Sequence, residues 1–139
     1  MTKRYAVIDT NVVVSAMLIP SSIPGTVLKY VFAGVLVPLI NDEIMGEYIE
    51  VLNRDKFDFD KNDIESIISN IKSNALVLDK TASNEKFVDQ KDIVFYEIAL
   101  TGVKEKDSYL VTGNTKHFPG KPFVVTPKEM VDIIEKSDS

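Results

Sequence analysis

The sequence predicts a single α/β domain in which helices cover both faces of a mainly parallel sheet. Five short apolar runs, at residues 5–8, 35–40, 75–78, 109–112 and 123–126, lack the apolar–polar alternation of a strand with one wet face. Such runs suit strands covered on both sides. Helical patterns separate most of them, and strands alternating with helices imply an α/β sandwich. The length of 139 residues fits one compact domain, taken as residues 1–135, with a frayed tail at 136–139.

The elements follow in order. The first run ends at Asp9, and the apolar stretch beyond it reads as helix, cut into two pieces by Pro20, Pro24 and Gly25. The second run is weakened as a strand by Pro38. Asn41 or Asp42 caps a helix reaching about Asn53, with Ile44, Tyr48, Val51 and Leu52 on one face. Residues 61–73 carry Ile64, Ile67, Ile68 and Ile71 as an amphipathic stripe before the third run. A helix from Ile93 to Leu100 is expected to stop at Gly102. The last two runs follow, and Pro127 opens a final helix through Met130, Val131 and Ile134.

Composition narrows the chemistry. With no cysteine, the chain has no disulfide, thiolate metal site or cysteine nucleophile. With one histidine, His117, it has no site that needs two imidazoles. Twenty-one acidic residues against sixteen Lys and Arg give a formal net charge of −5, which argues against coating nucleic acid by bulk electrostatics but not against a locally acidic, metal-filled nuclease site. No apolar run approaches a membrane span, and Asp9 and Asn11 interrupt the first apolar stretch, so neither a membrane segment nor a signal peptide is expected and a cytoplasmic location is the default.

The acids fall at telling places. Asp9 follows the first strand, where open parallel sheets bind ligands, although Asp, Thr and Asn are also good helix caps. Glu47 lies on the margin of the apolar stripe of its helix, unlike Glu43 and Glu50; it reads either as a partly desolvated ligand or as a rim residue with a packed stem. Asp89 and Asp92 both stand near the start of one helix, as ligands or as caps. Asn114 follows the fourth strand in a place equivalent to Asp9, and Gly113-Asn114 also reads as an ordinary turn. Acids gathered in one crevice would repel each other without a cation. Hard oxygen donors suit Mg2+ or Mn2+, which lower the pKa of a bound water and clamp a phosphodiester for in-line displacement.

Taken together these motifs resemble the PIN domain family, specifically toxin components of type II toxin–antitoxin systems. Ile8-Asp9-Thr10-Asn11-Val12 is similar to the first acidic motif. Glu47 stands where the family has its helix glutamate. Asp89-Gln90-Lys91-Asp92 with Phe95 and Glu97 resembles the third motif, and Tyr109-Leu110-Val111-Thr112-Gly113-Asn114 the fourth. The resemblance spans about residues 5–134. It implies a three-layer α/β/α sandwich with a five-stranded parallel sheet in the order 3-2-1-4-5. It also implies a Mg2+- or Mn2+-dependent endoribonuclease that cuts single-stranded RNA to leave a 3′-hydroxyl and a 5′-phosphate, a cognate antitoxin protein and a homodimer.

On that resemblance Asp9, Glu47 and Asp92 are the catalytic set, holding the metal with Asp89 and Asn114. Many family members have Asp where this chain has Asn114, which keeps a carbonyl oxygen but loses a charge. Thr10, Asn11 and Ser15, on the first turns of the first helix, are candidates to bind phosphate or orient water, or caps. Thr112 either positions Asp9 or a metal water, or is a buried strand threonine. Lys116, His117 and Lys121 form a basic edge for RNA backbone, with a packed or solvated histidine as the alternative for His117. The competing function is a catalytically weakened PIN-fold module that binds RNA or a protein without cleavage. A nucleotide-binding protein is disfavoured because no Gly-rich phosphate loop follows a strand. A phosphoaspartyl enzyme is disfavoured because Asn11 stands where the second Asp would be.

Overall fold

The computed structural model describes residues 2–136. Five parallel strands, β1 (Arg4–Ile8), β2 (Leu36–Ile40), β3 (Leu76–Val77), β4 (Ser108–Val111) and β5 (Val124–Val125), form one sheet in the order β3-β2-β1-β4-β5. The helices are α1 (Thr10–Leu18), α2 (Ile23–Phe32), α3 (Asp42–Leu52), α4 (Lys61–Ser73), α5 (Ile93–Glu105) and α6 (Pro127–Lys136). The predicted α/β class and the strand order 3-2-1-4-5 are as observed. Of the expected tail, Lys136 is the last described residue of α6, and residues 137–139 lie outside the described residues.

β1 is the central strand, and its Ala6, Val7 and Ile8 are buried. That explains the unbroken apolar runs: both faces of the central strands are largely covered. Pro38 stands inside β2 without disturbing it. The Arg4 amide donates to the Val35 carbonyl at 2.9 Å and the Leu78 amide to the Ile40 carbonyl at 3.0 Å. Even-numbered residues of β2 therefore turn their amide groups away from β1, and β3 begins its pairing only at Leu39 opposite Leu76. The missing N–H of Pro38 falls where no ladder bond is needed.

α5 does not stop at Gly102 as the sequence suggested; it continues to Glu105. Gly102 serves packing instead. A Cβ there would come within 2.5 Å of Leu39 Cδ1 and 3.0 Å of Ser108 Oγ, so glycine lets α5 lie close on β2 and β4. Gly102→Ala is expected to destabilise the fold by ~1–3 kcal/mol through overpacking. A denaturant titration checks this: an unchanged midpoint would mean that Leu39 moves aside at no cost.

Among the described residues no single helix is long and apolar enough to cross a membrane. α1 and α2 together reach that composition, but they bend by 102° at their junction. Val12, Val13, Val27, Leu28 and Val31 place their apolar faces in the core.

The topology fixes where a site can form. From β1 the chain moves to β2 and β3 on one side, then returns to β4 on the other. The carboxyl ends of β1 and β4 are therefore the switch point of the sheet, where open α/β folds leave a crevice.

Candidate active site

Asp9 leaves β1 at that crevice, and its amide continues the ladder by donating to the Val111 carbonyl at 2.9 Å. It stands at the N-cap of α1, yet its side chain makes no capping bond. Its Oδ2 instead accepts from Thr112 Oγ1 at 2.7 Å and from Asn11 Nδ2 at 3.2 Å. The carboxylate thus lines the crevice and caps nothing. Burial pushes the Asp9 carboxyl up from its ordinary range; the hydrogen bond from Thr112 works against that.

Thr112 is fully buried and so does not reach a substrate. Its hydroxyl accepts from the Asn114 amide at 3.0 Å while donating to Asp9, which ties the end of β4 to the end of β1. Asn11 adds a second tie, with Oδ1 accepting from the Gly113 amide at 3.2 Å. Tyr48 Oη donates to the Ile8 carbonyl from inside α3 and fastens that helix to the residue before Asp9.

α3 starts at Asn41, whose Oδ1 accepts from the Ile44 amide at 2.9 Å. Ile44, Tyr48 and Leu52 are fully buried, and Glu47, half-buried beside that stripe, reaches the crevice as its position on the margin implied. Its carboxyl is pushed up, first by desolvation, with Lys91 working against the rise. Asp89 caps a 3-10 turn at Gln90–Asp92 by accepting from the Lys91 amide at 3.0 Å. Asp92 then precedes α5 without a capping bond. The capping role therefore goes to Asp89 and not to Asp92.

Asp9, Thr10, Glu47, Asp89, Lys91, Asp92 and Arg54 line one cleft of about 200 Å³, floored by Val51 and Phe95. Four carboxylates there make a strongly negative concavity. Asp92 records it: its carboxyl is pushed up from 3.8 to about 6, mainly by burial, then by the charges of Asp9 and Asp89, with His117 opposing and Glu47 adding. Two buried polar atoms in the lining, Thr10 Oγ1 and Asp92 Oδ2, have no hydrogen-bond partner. Buried oxygens in want of a partner beside clustered acids are what a hard divalent cation satisfies, so the donor set fits Mg2+ or Mn2+ in kind. In spacing the acids stand apart. Among the described residues no three acids or histidines are grouped closely enough to close on one ion, and a cation would have to draw them in.

Asn114, expected among the metal ligands, is half-buried and lies outside the lining of this cleft, with Nδ2 3.0 Å from His117 Nε2. His117 Nδ1 is 3.6 Å from Asp92 Oδ2. The remaining expected residues are more dispersed. Ser15 lines a neighbouring depression with Asn11, Gly113 and Asn114, outside the acidic cleft. Lys116 is exposed beside His117, and Lys121 is drawn off to Glu85 at 3.7 Å, so the expected basic edge is thinner than the sequence suggested.

Sequence reasoning overlooked the two cations of the cleft, Lys91 and Arg54. Both signals were present: Lys91 lies between Asp89 and Asp92, and Arg54 stands two residues past the end of the helix that carries Glu47.

The PIN domain family profile matches residues 5–116. An uncharacterized protein of Methanocaldococcus jannaschii is 28% identical over 151 aligned positions, covering 96% of this chain and 94% of that protein. No solved structure matches.

Proposed function

Because the chain belongs to the PIN domain family, whose members are generally metal-dependent nucleases, we propose that it is an endoribonuclease that cuts single-stranded RNA with Mg2+ or Mn2+. The observation that carries this reading is the cleft itself: Asp9, Glu47, Asp89 and Asp92 line it together beside the switch point, with an orphaned carboxylate oxygen on Asp92.

In this reading Asp9, Glu47 and Asp92 would hold the cation, with Asp89 and Asn114 as further oxygen donors. When bound, the cation supplies Lewis-acid chemistry: it activates water and neutralises charge on the scissile phosphate. The chain's own residues do the rest. Thr112 and Asn11 hold the carboxylate of Asp9 in place at the end of β1. Lys91 and Arg54 put positive charge on the rim of an otherwise repulsive cleft, where an RNA phosphate would have to approach. Lys116 and His117 are read as extending that rim, and the buried, unpartnered Thr10 Oγ1 could hydrogen-bond a water held in the cleft.

We further read the protein as the toxin of a toxin–antitoxin pair, acting in the cytoplasm as a homodimer and held by a cognate antitoxin. The support is the motif layout on a single small domain. The apolar side chains Leu18, Ile19 and Phe32, exposed on and beside α1 and α2, suit a protein partner.

The test is cleavage of a labelled single-stranded RNA with Mn2+, with EDTA and with Glu47→Gln. Wild type with metal is expected to cut; the chelated and Glu47→Gln samples are expected to lose at least ~100-fold. RNA binding without cleavage by the wild type would favour the weakened binding module, for which Asn114 is the residue that speaks. Equal cleavage in all three samples would remove the metal site.

A further inference from the structure

We propose that His117 is a positioning residue for Asp92, and that Asn114 makes it one by setting the tautomer of the imidazole ring. The inference starts from an unpaired atom. Asp92 Oδ2 is buried and has no hydrogen-bond partner, although it belongs to a carboxylate pressed by three like-charged neighbours. A buried acceptor in that state needs a donor. The group facing it is His117 Nδ1, at 3.6 Å. That distance is an electrostatic contact and not a hydrogen bond, and Nδ1 is the ring nitrogen turned toward this oxygen.

Whether Nδ1 is a donor depends on the other nitrogen. In a neutral imidazole one nitrogen carries the proton and the other accepts, and the partner of one decides the other. His117 Nε2 lies 3.0 Å from Asn114 Nδ2. An amide nitrogen only donates, so Nε2 accepts and the ring proton sits on Nδ1, aimed at Asp92. Asn114 is itself fixed, because its backbone amide donates to Thr112 Oγ1, the hydroxyl that holds Asp9. Position 114 thus bears on both carboxylates, on Asp9 through its backbone amide and Thr112, and on Asp92 through its side chain and His117. A carboxylate at position 114 reverses the logic. It accepts only, so a neutral ring keeps the contact by moving its proton to Nε2, and Nδ1 then turns a lone pair toward Asp92. Asn114 is in this light a working part of the site and not merely a lost charge. The role in cleavage rests on the nuclease reading; the tautomer does not.

The chain has one histidine, so the full-length protein with 15N-labelled histidine gives a single pair of ring nitrogen signals. At a pH where the ring is neutral, the wild type is expected to show the Nδ1–H form and Asn114→Asp the Nε2–H form. An Nε2–H ring in the wild type would overturn the proposal. Two substitutions then read the function. His117→Gln places an amide near Nε2 and leaves Asp92 without a donor; His117→Asn places one near Nδ1 and keeps it. With Mn2+ and a short RNA, His117→Gln is expected to lower kcat by about 10-fold with KM unchanged, and His117→Asn to recover most of that loss. Equal losses in both variants, with KM raised, would make His117 a substrate contact and sink the positioning role. If no variant and no wild type cleaves, the nuclease reading fails, and the nitrogen signals still decide the tautomer.

Discussion

Asp92→Asn is expected to lose cleavage by on the order of 10² to 10³-fold while raising the melting temperature at pH 7. The two effects have one cause. Asp92 is ionised at neutral pH inside a cleft that also holds Asp9, Asp89 and Glu47, and that cleft raises its pKa to about 6. The rise from 3.8 is equivalent to roughly 3 kcal/mol of unfavourable free energy in the ionised site, about half of it after screening by the open cleft. Asparagine keeps the shape, removes the charge and relieves that strain; a gain of ~1.5 kcal/mol in a domain of this length is worth about 5 °C. The same substitution removes a candidate ligand, so activity falls. Thermal melts and RNA cleavage on one preparation read both. A lowered melting temperature would show that Asp92 serves the fold through its contact with His117, and unimpaired cleavage would take Asp92 out of the site.

Most of the fold was legible because burial on both faces of a parallel sheet writes itself as unbroken apolar runs, and helices write a stripe. Gly102 was misread because sequence offers the C-cap glycine as the default near a helix end. Its tight contacts, Leu39 and Ser108, come from two other elements, and a single chain of letters carries no sign of them. Asp9, Asp89 and Asp92 were legible as acids near helix starts, but which of them caps depended on rotamers: Asp89 bonds the Lys91 amide, Asp9 turns to Thr112, and Asp92 caps nothing. The pairing of Asn114 with His117 lay in plain sight at a spacing of three, and its meaning came only with Asp92 on the other side of the ring.

The stability of the protein is expected to depend on pH and divalent cation in opposite senses at the same carboxylates. Asp92 titrates near 3.8 in the unfolded chain and about 6 in the folded one, and Asp9 and Glu47 are also shifted upward. Between these values the folded state holds more protons than the unfolded one, so stability falls as pH rises. The favourable contribution of the protonated acids is complete below about pH 4 and is lost as pH rises through about 6. A cation that binds the ionised acids of the folded chain acts the other way. At a hundred times its dissociation constant it adds ~2.7 kcal/mol, or roughly 8–10 °C for 139 residues. Protons compete for the same oxygens, so the stabilisation by Mn2+ is expected to be large at pH 7.5, to shrink below pH 6 and to vanish near pH 4.5. Melting curves over that pH range, with Mn2+ and with EDTA, measure both trends. A cation effect independent of pH would point to binding elsewhere on an acidic surface. A cation effect that survives in the Asp9→Asn, Asp92→Asn double variant would do the same, and would separate the acidic cleft from the metal it is read to hold.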